Sequence, residues 1–184
     1  AEGEGVVGAA LIIRPESGRL PASVAQAAPF ERRTMALPWA QPAPAFVAPL
    51  PPLGLPHPTL EVLGEEAGLD GRRRLTLRLS SPRGAPEIGL AFAGAVPAES
   101  IRVQGQPLAS PYLRGRSSDT GISLVSFEAA PPEGVVIELT LSADRLDAFV
   151  LDRSPGLPAS AQDTAISRPA TMSPANGGDA TVLY

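Results

Sequence analysis

The chain has 184 residues, 43% of them hydrophobic and 18% charged, which supplies enough apolar material for a buried core and excludes the low-hydrophobicity, high-charge composition of a disordered segment. Fifteen basic residues, all of them arginine, stand against nineteen acidic ones for a formal net charge of -4. The only basic run, Arg72-Arg73-Arg74, is too short to neutralise many phosphates, so no nucleic-acid partner is expected.

The absence of cysteine excludes disulfides and every zinc site built on thiolates. The longest apolar stretches, Val6 to Ile13 and Gly89 to Val96, fall well short of the roughly 20 residues a spanning helix needs, so no membrane span is expected in this chain. The chain opens Ala1-Glu2-Gly3-Glu4 without an initiator methionine or a signal sequence, and is expected to be a piece of a longer polypeptide. A composition with arginine but no lysine and much alanine, glycine and proline fits GC-rich bacterial coding.

In chain order, a first hairpin is expected near Val6 to Val24, turning at Pro15-Glu16-Ser17-Gly18, and one short helix fits around Pro21 to Ala28. Residues 1–37 are thus read as an N-terminal hairpin and connector. Between Pro38 and Pro58, eight of twenty-one residues are proline, interleaved with Trp39, Phe46, Val47, Leu50, Leu53 and Leu55. A solvated linker has no use for that apolar surface, so 38–58 is read as an extended strap lying across a sandwich.

From residue 59 onward the period is two. Leu60-Val62, Leu75-Leu77-Leu79, Ile88-Leu90-Phe92, Ile101-Val103 and Val135-Ile137-Leu139-Leu141 alternate with mostly polar neighbours, the pattern of half-buried strands. Ala9 to Ile13 and, Asp147 apart, Leu146 to Leu151 are apolar on both faces, as expected for strands covered on both sides or at the centre of a packed sheet. Asp70-Gly71, Pro82-Arg83-Gly84, Gln104-Gly105 and Pro131-Pro132-Glu133-Gly134 carry turn chemistry between these runs. Thr181-Val182-Leu183 fits a last edge strand after a tail rich in small residues and proline. The expectation is one all-β domain over 1–184, an antiparallel β-sandwich of jelly-roll-like or Ig-like type with long loops, whose main sandwich and C-terminal tail occupy 59–184.

Catalytic chemistry is hard to assemble from these residues. His57 is the only histidine and sits between Pro56 and Pro58, on a stiff backbone with no triad partner at a suggestive spacing; a small hydrolase would have to use it. Glu61, Glu65, Glu66 and Asp70 flank an expected hairpin turn, where solvated carboxylates are the norm. No metal ligand set and no cofactor is expected. Tyr112, Arg114 and Arg116 alternate with Leu113 and Gly115 and would share a face if extended; with Trp39 they form a candidate surface for an anion, a sugar or a peptide. Asp152 and Arg153 leave the most apolar strand and are read as a structural polar cluster that satisfies nearby loop backbone.

Three groups of short motifs then stand in order: Arg72-Arg73-Arg74-Leu75 with Ser81-Pro82-Arg83-Gly84-Ala85-Pro86; Leu151-Asp152-Arg153-Ser154 with Gly156-Leu157-Pro158; and Arg168-Pro169-Ala170 through Pro174 to Asp179-Ala180-Thr181-Val182. In that order and spacing, over residues 45 to 184, the chain resembles the C-terminal β-rich region of bacterial membrane-bound peptidases of metallopeptidase family twenty-eight. The resemblance implies an aminopeptidase-like two-zinc domain earlier in the parent polypeptide, with zinc held only there. It further implies a periplasmic or other extracytoplasmic location as part of an inner-membrane protein. No zinc-binding or catalytic residue of the family has a counterpart here. The expected role is a non-catalytic accessory domain that serves the peptidase domain of the same polypeptide by docking, substrate gating or holding a protein or peptide partner. The alternative is an independent envelope module that binds glycan or peptide.

Overall fold

The computed structural model describes residues 8–37, 40–68, 71–93, 98–108, 122–142, 145–174 and 178–184. It is mostly β, and its strands pair antiparallel in three sheets. The chain divides into two compact units, one of residues 1–36, 42–55 and 155–181, the other of residues 37–41, 56–154 and 182–184.

The first unit holds β1 (Ala9–Ile13), the helix α1 (Ala22–Ala27), β2 (Glu31–Leu37) and β3 (Ala40–Leu50), with the strand order β1-β3-β2. The helix stands where the sequence places it. Pro21, at φ -57°, precedes an alanine-rich window, and alanine is the residue that costs least in a helix. The first hairpin does not form, because the chain after the turn at residues 15–18 enters α1 instead of returning as a strand. Ala9 to Ile13 pair instead with Phe46 to Leu50 of β3.

The proline-rich segment is accordingly a sheet strand of this unit over Ala40–Leu50, not a strap. Pro42 and Pro44 lie outside the register with β1, so their missing N–H groups remove no bond to that strand. Leu11, Ala48 and Ala161 are buried together, with Ile13, Phe30, Leu50 and Leu157 packed around them. Ala161 belongs to the tail, which turns through a single 3-10 turn (Ala159–Ala161) into α2 (Gln162–Ile166).

The second unit is a two-sheet sandwich. One sheet runs in the order β4 (Thr59–Ala67), β5 (Arg73–Ser80), β10 (Val135–Leu141), β7 (Ala98–Val103), β8 (Gln106–Pro107). The other runs β12 (Ala180–Leu183), β11 (Ala148–Pro155), β6 (Glu87–Ala93), β9 (Ile122–Glu128). The alternation read from the sequence decides the faces. Leu75, Leu77 and Leu79 on β5, Val135, Ile137, Leu139 and Leu141 on β10, Ile101 on β7, and Ile88, Leu90 and Phe92 on β6 form one buried cluster. Fully burying each such side chain stabilises the fold by about 1.5–3 kcal/mol before entropy is counted.

The turns are those their residues require. Gln104 and Gly105 both have positive φ, 49° and 74°, as a two-residue type I′ hairpin turn between β7 and β8 demands. Gly134 closes the turn that begins at Pro131, its N–H donating to the Pro131 carbonyl at 2.9 Å. A Cβ at Gly134 would stand 2.5 Å from the Leu79 carbonyl oxygen, so only glycine fits there.

The reading of Leu146 to Leu151 holds in part. β11 lies inside its sheet, between β12 and β6. Ala148 and Val150 pack against the core cluster, and on the opposite face Leu151 is 4% exposed while Phe149 is 46% exposed.

Candidate functional site

The surface proposed from the sequence, Trp39, Tyr112, Arg114 and Arg116, lies outside the described residues. The other candidates can be placed. His57 is exposed, in a stretch between β3 and β4 with no regular structure. Among the described residues no group of three or more His, Cys, Asp or Glu side chains could hold a metal ion. No helix among them is long and apolar enough to cross a membrane.

The carboxylates around the β4–β5 turn meet arginines on the neighbouring strand. Arg78 lies 3.1 Å from Glu61, Arg73 2.8 Å from Glu65, and Arg74 3.4 Å from Glu66. These pairs are solvated and follow from register: Glu61 stands opposite Arg78 and Glu66 opposite Arg74. Asp70 lies outside the described residues. The outer face of the same sheet carries a shallow depression of about 320 Å³ lined by Arg74, Ser100, Arg102, Glu138 and Thr140. Ser100 donates to the Thr140 hydroxyl at 3.0 Å, and Arg102 lies 3.8 Å from Glu138. With Glu66 beside Arg74 the depression has two positive and two negative groups, the balance of a solvated cross-strand lattice.

Among the described residues the most constrained polar group is Asp152. Its side chain is 0% exposed, and the guanidinium of Arg83, 11% exposed, lies against it. Arg83 Nη2 donates to Asp152 Oδ1 at 2.7 Å, and Nε reaches Oδ1 and Oδ2 at 3.0 and 3.1 Å. The third arm, Nη1, donates to Ser154 Oγ at 2.7 Å. Ser81 Oγ donates to Asp152 Oδ2 at 2.5 Å and accepts the Ala85 N–H at 3.1 Å, so the carboxylate holds the start of the β5–β6 loop and Ser81 fastens its far end. Buried charge is tolerated only when paired and hydrogen-bonded in this way, and no buried side-chain nitrogen or oxygen among the described residues lacks a partner.

Arg153 does not share that network. Consecutive strand residues point to opposite faces, and Arg153 pairs with Glu87, directly opposite on β6, at 3.1 Å. The sequence named Asp152 but not Arg83. The contact spans 69 residues, and a Pro-Arg-Gly turn carries no local trace of a buried partner.

A second set of polar contacts lies in the first unit. The Gly156 N–H donates to the Asp179 carbonyl at 2.7 Å, Thr181 Oγ1 donates to the Gly156 carbonyl at 2.8 Å, and the Arg168 guanidinium pairs with the Asp179 carboxylate. Chemically, both networks fasten loops. Neither offers an exposed nucleophile beside a base or an open coordination position. No protein-family model matches this chain, and no curated protein or solved structure matches it significantly.

Proposed function

We propose that the chain is a non-catalytic, extracytoplasmic accessory domain of a membrane-anchored, aminopeptidase-like zinc peptidase, acting through its surfaces by docking, gating or partner binding. One observation carries the reading. Several residues of the short motifs that bear the resemblance are fastened together in space. Ser81, Arg83, Asp152 and Ser154 share the buried network, while Gly156, Arg168, Asp179 and Thr181 share the other. Motifs that recur because they hold a fold would be kept in order and spacing without any reacting group, as an accessory domain requires.

The test is an assay of the purified chain with excess zinc against aminoacyl p-nitroanilides and a general ester. The proposal expects no turnover above the buffer rate, and the same flat trace for His57→Ala. Turnover that disappears in His57→Ala would overturn it in favour of a small hydrolase.

A further inference from the structure

On the outer face of the five-stranded sheet of the second unit, Arg78 and Glu61 close on each other at 3.1 Å. The depression of about 320 Å³ on that face is built otherwise. Two rows of side chains cross it. Arg74, Thr140 and Ser100 stand opposite one another on β5, β10 and β7, and Glu138 and Arg102 stand opposite one another two residues along β10 and β7. The polar groups of these rows do not satisfy one another. Arg102 Nε is 3.8 Å from the Glu138 carboxylate, beyond hydrogen-bond reach, and among the described residues that carboxylate has no other side-chain partner.

The donors stand in the same way. Among the described residues the Arg74 guanidinium donates only to Glu66, at 3.4 Å, and the Arg102 guanidinium only to the Gly105 carbonyl; each has N–H groups left over. Ser100 donates to the Thr140 hydroxyl at 3.0 Å, which leaves the Thr140 proton to be donated elsewhere. Spare donors of two cations and a hydroxyl thus share one concave surface with a carboxylate that accepts none of them. That combination disfavours simple ions. An anion drawn by the arginines would also meet Glu138, and a cation drawn by Glu138 would also meet the arginines.

We infer that the depression binds a free α-amino acid in its zwitterionic form. Its carboxylate accepts from the Arg74 guanidinium and the Thr140 hydroxyl, and its ammonium donates to the Glu138 carboxylate. The two rows lie about 7 Å apart along the strands, a span that adjacent carboxylate and ammonium groups bridge with one hydrogen bond at either end. A peptide holds its two terminal charges further apart. The volume stands at the lower end of the about 300–1,000 Å³ of small-molecule sites, and the amino-acid side chain is left in water, so the site reads the zwitterion and not the side chain. The zwitterion follows from these side chains. Its source rests on the accessory-domain reading, because a free α-amino acid is what an aminopeptidase releases.

Amide chemical-shift titration of the isotope-labelled chain tests it. L-Alanine is expected to shift the amides of Ser100, Arg102, Glu138 and Thr140 saturably, with a Kd on the order of 1 mM, as for a site whose charges stay solvated. Propionate and ethylamine carry one charge each and should bind about tenfold more weakly, having lost one charge-assisted contact. L-Alanyl-L-alanine should also bind more weakly than L-alanine. Glu138→Gln and Arg74→Met should each weaken L-alanine about tenfold with an unchanged circular dichroism spectrum. The inference is overturned by the absence of a saturable shift with L-alanine, by propionate or the dipeptide binding as tightly, or by undiminished binding in Glu138→Gln. The titration needs no peptidase, so a negative result removes this site and leaves the accessory-domain reading standing.

Discussion

At the scale of single residues, the buried pair of Arg83 and Asp152 makes the sharpest prediction. Arg83→Ala leaves a fully buried carboxylate with its strongest partner gone, and should cost about 3–5 kcal/mol in urea denaturation. Arg83→Met combined with Asp152→Leu should cost clearly less than the sum of the two single changes, because no charge is then left unpaired. Two backbone positions predict opposite signs. Gly134→Ala forces a Cβ to 2.5 Å from a carbonyl oxygen at φ +85° and should destabilise by about 2 kcal/mol or more. Ala129 holds φ 55° without being glycine, so Ala129→Gly should raise the melting temperature, by about 0.5–1 kcal/mol of stability. Of these residues the sequence pointed to Gly134 through its turn and to Asp152 through its place after an apolar strand. Ala129 and Arg83 carry no such mark, because a strained φ and a distant partner are properties of the folded chain.

At the scale of elements, the strands of the sandwich were legible wherever one face is wet. β5 and β10 alternate strictly, and their buried residues are those the alternation names. Leu139→Ala, at a fully buried position of the central strand β10, should therefore cost about 2–5 kcal/mol. Arg78→Ala on the opposite face, where the Glu61 pair is solvated, should change stability by less than about 0.5 kcal/mol. Both are read from denaturation midpoints. Legibility failed where pairing is non-local. β1 meets β3 across the whole of α1 and β2, and nothing in Ala9 to Ile13 names that partner. The prolines of 38–58 argued against a sheet strand, yet Pro42 and Pro44 lie beyond the reach of β1 along β3, and Pro49 stands opposite Ala10 within that register. The apolar positions of Leu146 to Leu151 implied two covered faces or a central place in a sheet; β11 takes the central place, and on one face Leu151 is buried while Phe149 is 46% exposed. The candidate surface of Trp39, Tyr112, Arg114 and Arg116 lies outside the described residues.

At the scale of the whole molecule, two β-rich units whose polar networks hold loops in place suit a part that presents surfaces, and the proposed role as an accessory to a membrane-anchored peptidase makes the parent polypeptide the decisive object. The most direct measurement is an immunoblot of fractionated native cells with antibody raised against this chain. The account predicts a band in the membrane fraction several times heavier than 18.9 kDa, which co-purifies with zinc-dependent aminopeptidase activity. A soluble band of 18.9 kDa with no heavier species would contradict it.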